Sequence, residues 1–99
     1  MRNSPETTGT QSATRALVLL RHIGARSAEG VRLTDLTALT GMDKSTVHRL
    51  LACLMEEGFV ARVPDSKRYR LGMESAQLGL VGSEMAPLVD RFRPLMLQV

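Results

Sequence analysis

One stretch of this chain, residues 34–57 (TDLTALTGMDKSTVHRLLACLMEE), strongly restricts the fold because it specifies two helices and the turn between them. Thr34 is the predicted N-cap of the first helix. Leu36 and Leu39 lie three residues apart on one face of that helix, and Gly41 follows where a left-handed residue would end it. The stretch therefore begins with a short helix and a tight turn.

Asp43 is the predicted N-cap of a longer second helix, residues 44–57, which we call the reader helix. Its apolar residues recur at the helical period and are Val47, Leu50, Leu51, Leu54 and Met55. At about 100° per residue, the other face is small, hydroxylated or basic near its N-terminus, with Lys44, Ser45, Thr46, His48 and Arg49. A helix that enters the DNA major groove needs such residues. The pattern predicts a helix-turn-helix.

A basic hairpin is predicted after the reader helix. Residues 59–63 are rich in β-branched and aromatic side chains, and Pro64 begins a turn. Residues 68–71 then alternate with period two, so Tyr69 and Leu71 should face inward. The hairpin carries a single acid, Asp65, and four basic residues, Arg62, Lys67, Arg68 and Arg70. This composition is typical of a wing that contacts DNA phosphates. A brief strand is also predicted at residues 31–33.

The N-terminal part of the chain is predicted to contain a disordered tail, residues 1–11, and then a helix from Ser12 to about Arg26. The stripe of this helix that packs on the helix-turn-helix consists of Ala16, Leu19, Leu20 and Ile23. Leu17 and Val18 lie off that stripe, so the helix has a second apolar surface that another part of the protein should cover. Another subunit or the linker helix could supply it; the alternative is that both side chains are exposed.

The C-terminal part is predicted to hold a linker helix, residues 73–83, weakened by Gly79 and Gly82. An apolar pattern then resumes over residues 84–99 and stops without a cap, which we interpret as the start of a truncated second domain. Together the segments predict a mainly α chain with a small β-hairpin, in which residues 12–72 form a winged helix-turn-helix domain.

Composition excludes several classes of protein. A single Cys cannot form an internal disulfide, and one Cys with two His cannot build a dedicated zinc site. No segment reaches the length of a membrane span or has the pattern of a signal peptide, so we expect a cytoplasmic protein without membrane contact. The net charge of +3 favours an anionic partner. No cofactor and no catalytic residues are predicted.

Two partial matches to catalytic motifs lack residues or surroundings that the chemistry needs. Lys44-Ser45 resembles the end of a phosphate-binding loop, but Asp43 stands where that motif needs glycine. Asp43, Ser45 and His48 are the residue types of a nucleophilic triad, but they share one helix turn without a predicted pocket.

Three segments together resemble the N-terminal winged helix-turn-helix of the IclR-type bacterial transcriptional regulators. They are RALVLLRHI (15–23), LTDLTALTGMDKSTVHRLLACLMEEGFV (33–60) and RYRLG (68–72). The resemblance covers roughly residues 13–82. It implies a homodimer, or a tetramer of the full-length protein, on a palindromic double-stranded DNA operator. It also implies that a small-molecule effector binds only through the C-terminal domain.

Carried over by position, the resemblance implies a set of DNA-binding residues: Thr34, Lys44, Ser45, Thr46, His48, Arg49, Arg62, Lys67, Arg68 and Arg70. Similar proteins also associate through the first helix and the linker. The corresponding dimer interface here comprises Leu17, Val18, Arg21, Leu78 and Val81.

Several alternatives remain open at the level of sequence. Arg49 and the basic wing could be ordinary solvated surface, and His48 could pack at the edge of the apolar stripe. Cys53 is interpreted as a small buried or half-buried hydrophobe. The whole domain could be a winged-helix module for protein–protein interaction without DNA binding. Lys44, Ser45, Thr46 and Arg49 on the outer face of the reader helix favour DNA.

Overall fold

The computed structural model describes residues 5–83, which form four helices and a three-stranded sheet. In chain order the elements are α1 (Pro5–Ala25), β1 (Val31–Arg32), α2 (Leu33–Thr40), α3 (Lys44–Glu56), β2 (Val60–Arg62), β3 (Arg68–Leu71) and α4 (Met73–Ser83). The predicted winged helix-turn-helix with a following helix is confirmed. The predicted start of a second domain, residues 84–99, lies outside the described residues.

Helix α1 begins at Pro5, earlier than the predicted start near Ser12, so part of the segment predicted as a disordered tail is helical. Proline suits the first position of a helix because its missing N–H is not needed there and its φ is already helical. The polar residues that follow carry no apolar periodicity, which is why the sequence pattern did not reveal the helix. The helix ends at Ala25, close to the predicted Arg26.

Helix α2 ends at the predicted glycine but does not begin at the predicted N-cap. Gly41 adopts a left-handed φ of 76° and its N–H bonds to the carbonyl of Thr37 at 2.9 Å, as a helix-ending glycine should. The N-cap of α2, however, is Arg32 and not Thr34. The Asp35 side chain accepts a hydrogen bond from the Arg32 N–H at 3.3 Å, which satisfies the donor that precedes the helix.

The sheet has the strand order β1-β3-β2 and is antiparallel throughout. The predicted hairpin of β2 and β3 is confirmed, and β1 adds a third strand through the pair Val31–Tyr69. The predicted brief strand at 31–33 is shorter than expected because Leu33 already begins α2. Tyr69 is buried, as the alternation predicted.

An aliphatic core joins the three helices of the domain to the sheet. Its fully buried side chains include Leu19 and Ile23 from α1, Leu36 from α2, and Val47 and Leu51 from α3. The rest of the predicted stripe is at the edge of this core: Leu54 is buried, whereas Leu50 and Met55 are half-buried.

One prediction about burial is wrong. Cys53 was expected to be buried or half-buried but is exposed, since it lies on the side of α3 away from Val47, Leu51 and Leu54. Leu39, three residues after Leu36 on α2, is 41% exposed, whereas Leu36 is buried.

Helix α4 starts directly against residues 58–59, which follow α3. The Gly58 carbonyl accepts a hydrogen bond from Glu74 N–H at 3.0 Å, and the Phe59 carbonyl accepts bonds from Gly72 N–H and Ser75 Oγ, both at 2.8 Å. A Cβ atom on Gly72 would overlap the Gly58 carbonyl oxygen, so only glycine permits this approach. We call residues 58–59 and 72–75 the joint.

Candidate nucleic-acid interface

The outer face of α3 is available for contact, as its sequence pattern predicted. Lys44, Ser45, His48 and Arg49 are exposed, and Thr46 is half-buried. His48 therefore does not pack against the core. The N-terminal turns of α3 present hydroxyl, imidazole and guanidinium groups to one side of the domain, with the apolar stripe behind them holding the helix in place.

Asp43 fixes the start of this helix. Its Oδ1 accepts a hydrogen bond from the Thr46 N–H at 2.8 Å and a longer one from Ser45 Oγ at 3.4 Å. The hydrogen bonds from Thr46 hold the pKa of the Asp43 carboxyl below its ordinary value, and Ser45 and the positive charge of Arg49 act in the same direction. The carboxylate thus satisfies one of the free N-terminal donors of α3, the Thr46 N–H, and fixes the orientation of its first turn.

The lowered pKa of Asp43 predicts a pH dependence of stability. An ionised Asp43 stabilises the fold fully above its unfolded pKa of about 3.8, and this contribution is lost as the pH falls through the lower folded pKa. We expect Asp43→Asn, which keeps an N-cap acceptor without the charge, to melt below wild type at about pH 6 and to lose that difference towards about pH 2. Thermal melts across this range measure it. A constant difference at all pH values would contradict the prediction.

The wing places its basic side chains on two different faces. Arg62 pairs in register with Tyr69, its guanidinium carbon lies 5.3 Å from the Tyr69 ring centre, and its Nη2 donates to the Ser66 carbonyl at 3.3 Å. Arg70 follows Tyr69 on β3 and so projects from the opposite face of the sheet. Arg68 Nη1 donates to the Gly30 carbonyl at 3.2 Å, tying the wing to the turn before β1.

A cleft of about 410 Å³ opens between the start of α2, the start of α3 and the wing. The residues that line it are Arg32, Leu33, Thr34, Lys44, Arg62, Lys67 and Tyr69. Four of the predicted DNA-binding residues, namely Thr34, Lys44, Arg62 and Lys67, therefore come together, although they are far apart in sequence. Arg68 and Arg70 do not line this cleft. We call this surface the basic cleft.

Arg32 is the residue of the basic cleft that sequence reasoning missed. It is exposed at the junction of β1 and α2. The only signal for it was a basic residue directly before the predicted helix-turn-helix, and a two-residue strand is too short for alternation to show its direction.

An apolar groove of about 490 Å³ lies on another part of the surface, between α1, α4 and the sheet. It is lined by Leu17, Leu20, Arg21, Gly24, Phe59, Leu71, Ser75 and Leu78. Three predicted dimer residues, Leu17, Arg21 and Leu78, meet here, and Leu17 and Leu78 are 59% and 61% exposed. Val81 is also exposed, farther along α4, whereas Val18 is half-buried and does not line the groove.

Two other kinds of feature are absent from residues 5–83. This region contains no group of His, Cys, Asp and Glu side chains that could hold a metal ion. Nor is any helix in it long and apolar enough to cross a membrane.

Comparisons with known proteins agree with this geometry. Residues 12–64 match the model of the IclR helix-turn-helix domain. The chain is 39% identical over 75 residues to the HTH-type transcriptional regulator XynR of Escherichia coli, covering 74% of this chain and 29% of XynR. It is 38% identical over 76 residues to the transcriptional repressor IclR of the same organism, covering 77% and 27% of the two chains.

A solved structure shows the same arrangement in three dimensions. A crystal structure of an IclR transcriptional regulator from a Silicibacter species superposes with a TM-score of 0.67 at 36% identity. The match covers 84% of this chain and 32% of that one. The chain thus spans about three tenths of the length of the proteins it matches, and the shared part contains the helix-turn-helix and the wing.

Proposed function

Since the chain belongs to the IclR family of helix-turn-helix transcriptional regulators, we propose that it binds duplex DNA sequence-specifically and regulates transcription. The observation that carries the proposal is the convergence of the basic cleft with the exposed N-terminal face of α3. Lys44 belongs to both, so the surface is continuous from the reader helix to the wing. A cytoplasmic location follows from this role.

The proposed binding mode assigns different tasks to the two parts of the surface. The outer face of α3 enters the major groove, where Ser45, His48 and Arg49 can reach base edges. Arg62 and Lys67 of the wing contact the phosphate backbone, which positions the domain and carries little sequence information. Arg68 serves mainly to fix the wing through Gly30, and Arg70 points away from the basic cleft.

A salt titration tests the proposal. The affinity of the chain for a random duplex should fall linearly on a log–log plot of affinity against salt, because each neutralised phosphate releases counterions. A selected operator should bind more tightly than the random duplex at every salt concentration. Absence of any binding to either duplex at low salt would favour the alternative, a winged-helix module that binds proteins.

We further propose that the chain acts as a homodimer on a palindromic operator. One reader helix covers few base pairs, so specificity requires a second half-site about one DNA turn, or a multiple of it, away. The apolar groove between α1 and α4 is the proposed pairing surface, because Leu17 and Leu78 are exposed on its walls. We assign tetramer formation and the binding of a small-molecule effector in a full-length protein to a C-terminal domain.

The pairing surface gives a testable prediction. Leu17→Asp should raise the dimer dissociation constant by about tenfold or more, because a carboxylate would be buried in an apolar contact. Analytical ultracentrifugation measures this effect, and circular dichroism should show unchanged helix content since Leu17 is 59% exposed in the single chain. Leu39→Asp is the matched control, an exposed leucine on α2 away from the groove. Equal dimer content in both variants and the wild type would refute the assignment.

A further inference from the structure

The basic cleft holds a cation that the proposed binding mode does not use. Arg32 lines it at the start of α2, together with Arg62 and Lys67 of the wing. We propose that Arg32 binds a backbone phosphate of the DNA duplex, so that the strand beside the reader helix is held from the α2 side as well as from the wing. This inference rests on the proposed function and adds to it a phosphate contact on the α2 side of the cleft.

The backbone of Arg32 is fixed, whereas its side chain faces solvent. The Arg32 N–H donates to Asp35 at 3.3 Å, and Arg32 pairs in register with Arg68 in the sheet. The preceding residue, Val31, is 2% exposed and anchors the strand in the core. A guanidinium on such a rigid base loses little backbone entropy on binding, and its planar donors fit phosphate oxygens.

The charges around the cleft favour an anion. Four of its seven lining residues are cationic, namely Arg32, Lys44, Arg62 and Lys67, and none is acidic. The nearest acids in sequence are Asp35 and Asp43, and each already accepts a hydrogen bond from a backbone N–H at a helix start. The N-terminal end of α2 adds a partial positive charge beside Thr34.

The position of the cleft favours a phosphate of the duplex over a free anion. Lys44 lies at the start of the reader helix and Lys67 in the turn of the wing, so the cleft spans the space between these two elements. With the reader helix in the major groove and the wing on the adjoining backbone, the strand between them passes over the cleft. Arg32 then lies beside that strand at the α2 end of the cleft.

Arg32→Ala and Arg26→Ala form a matched pair that tests the inference. Both remove one exposed arginine, but Arg32 lines the basic cleft, whereas Arg26 lies just beyond the end of α1 and outside the predicted DNA-binding set. Arg32→Ala should weaken binding to operator and random duplex alike, by about tenfold at low salt, and make the log–log salt slope shallower by about one unit. Arg32→Lys should restore much of the slope, and Arg26→Ala should behave as wild type. Thermal melts of all variants should match.

Other outcomes overturn the inference in distinguishable ways. A wild-type salt slope in Arg32→Ala, or an equal loss in Arg26→Ala, would remove Arg32 from the phosphate contacts while leaving the proposed function intact. Saturable binding of inorganic phosphate at Arg32, seen by amide chemical shifts, with unchanged DNA affinity in Arg32→Ala would make the cleft a small-anion site. Failure of the wild type to bind any duplex would refute both proposals.

Discussion

Replacing Arg49 by alanine should reduce affinity for the operator by about 5- to 150-fold, which corresponds to loss of a bidentate contact to guanine worth about 1–3 kcal/mol. Arg49 is exposed on the outer face of α3, where it is held by the buried stripe behind it. Random duplex should lose much less affinity, because the lost contact is to a base edge. Fluorescence anisotropy with both duplexes measures the two effects.

The lysine variant separates base from phosphate contact at this position. Arg49→Lys keeps the positive charge but loses the planar fork, so it should bind random duplex as wild type does and still discriminate poorly. Full recovery of operator affinity in Arg49→Lys would show that Arg49 contacts phosphate. Wild-type operator affinity in Arg49→Ala would exclude any contact.

Replacing Leu51 by alanine should lower the free energy of unfolding by about 2–5 kcal/mol, a large part of the stability of a domain this small. Leu51 is 1% exposed at the centre of the core shared by α1, α3 and the sheet. Truncation leaves a cavity that surrounding side chains fill only in part. Urea denaturation followed by circular dichroism measures the change in midpoint.

Leu39→Ala is the control for this truncation, because the same side chain is 41% exposed on α2. It should shift the urea midpoint far less than Leu51→Ala. Similar shifts in the two variants would contradict the position of the core.

The fold was predictable from sequence where a helical stripe was reinforced by a specific capping residue. The stripe through Val47, Leu51 and Leu54 had Asp43 before it, so the limits of α3 followed from periodicity and capping together. The start of α2 was misplaced because Thr34 is a better N-cap by residue type than Arg32. There Asp35 supplied the capping hydrogen bond from within the helix.

The candidate site was predictable as a set of residue types but not as a surface. Alternation on β3 correctly placed Arg68 and Arg70 opposite Tyr69. Alternation could not show that Arg62 lies beside the start of α3, because the position of the sheet relative to α3 depends on how the sheet packs. Arg32 and Lys67 are distant in sequence, and only the pairing of β1 with β3 brings them to one cleft.

The joint connects the first turn of α4 to residues 58–59, which directly follow α3. Because its hydrogen bonds and the close approach of Gly72 to Gly58 restrict movement there, we expect the first turn of α4 to move together with the end of the reader helix. Gly79 and Gly82 have open space around them, so we expect α4 to bend in that later part of the helix. In the proposed homodimer, a bend in the later part of α4 would therefore change the spacing and relative angle of the two reader helices without changing the DNA contacts of either one.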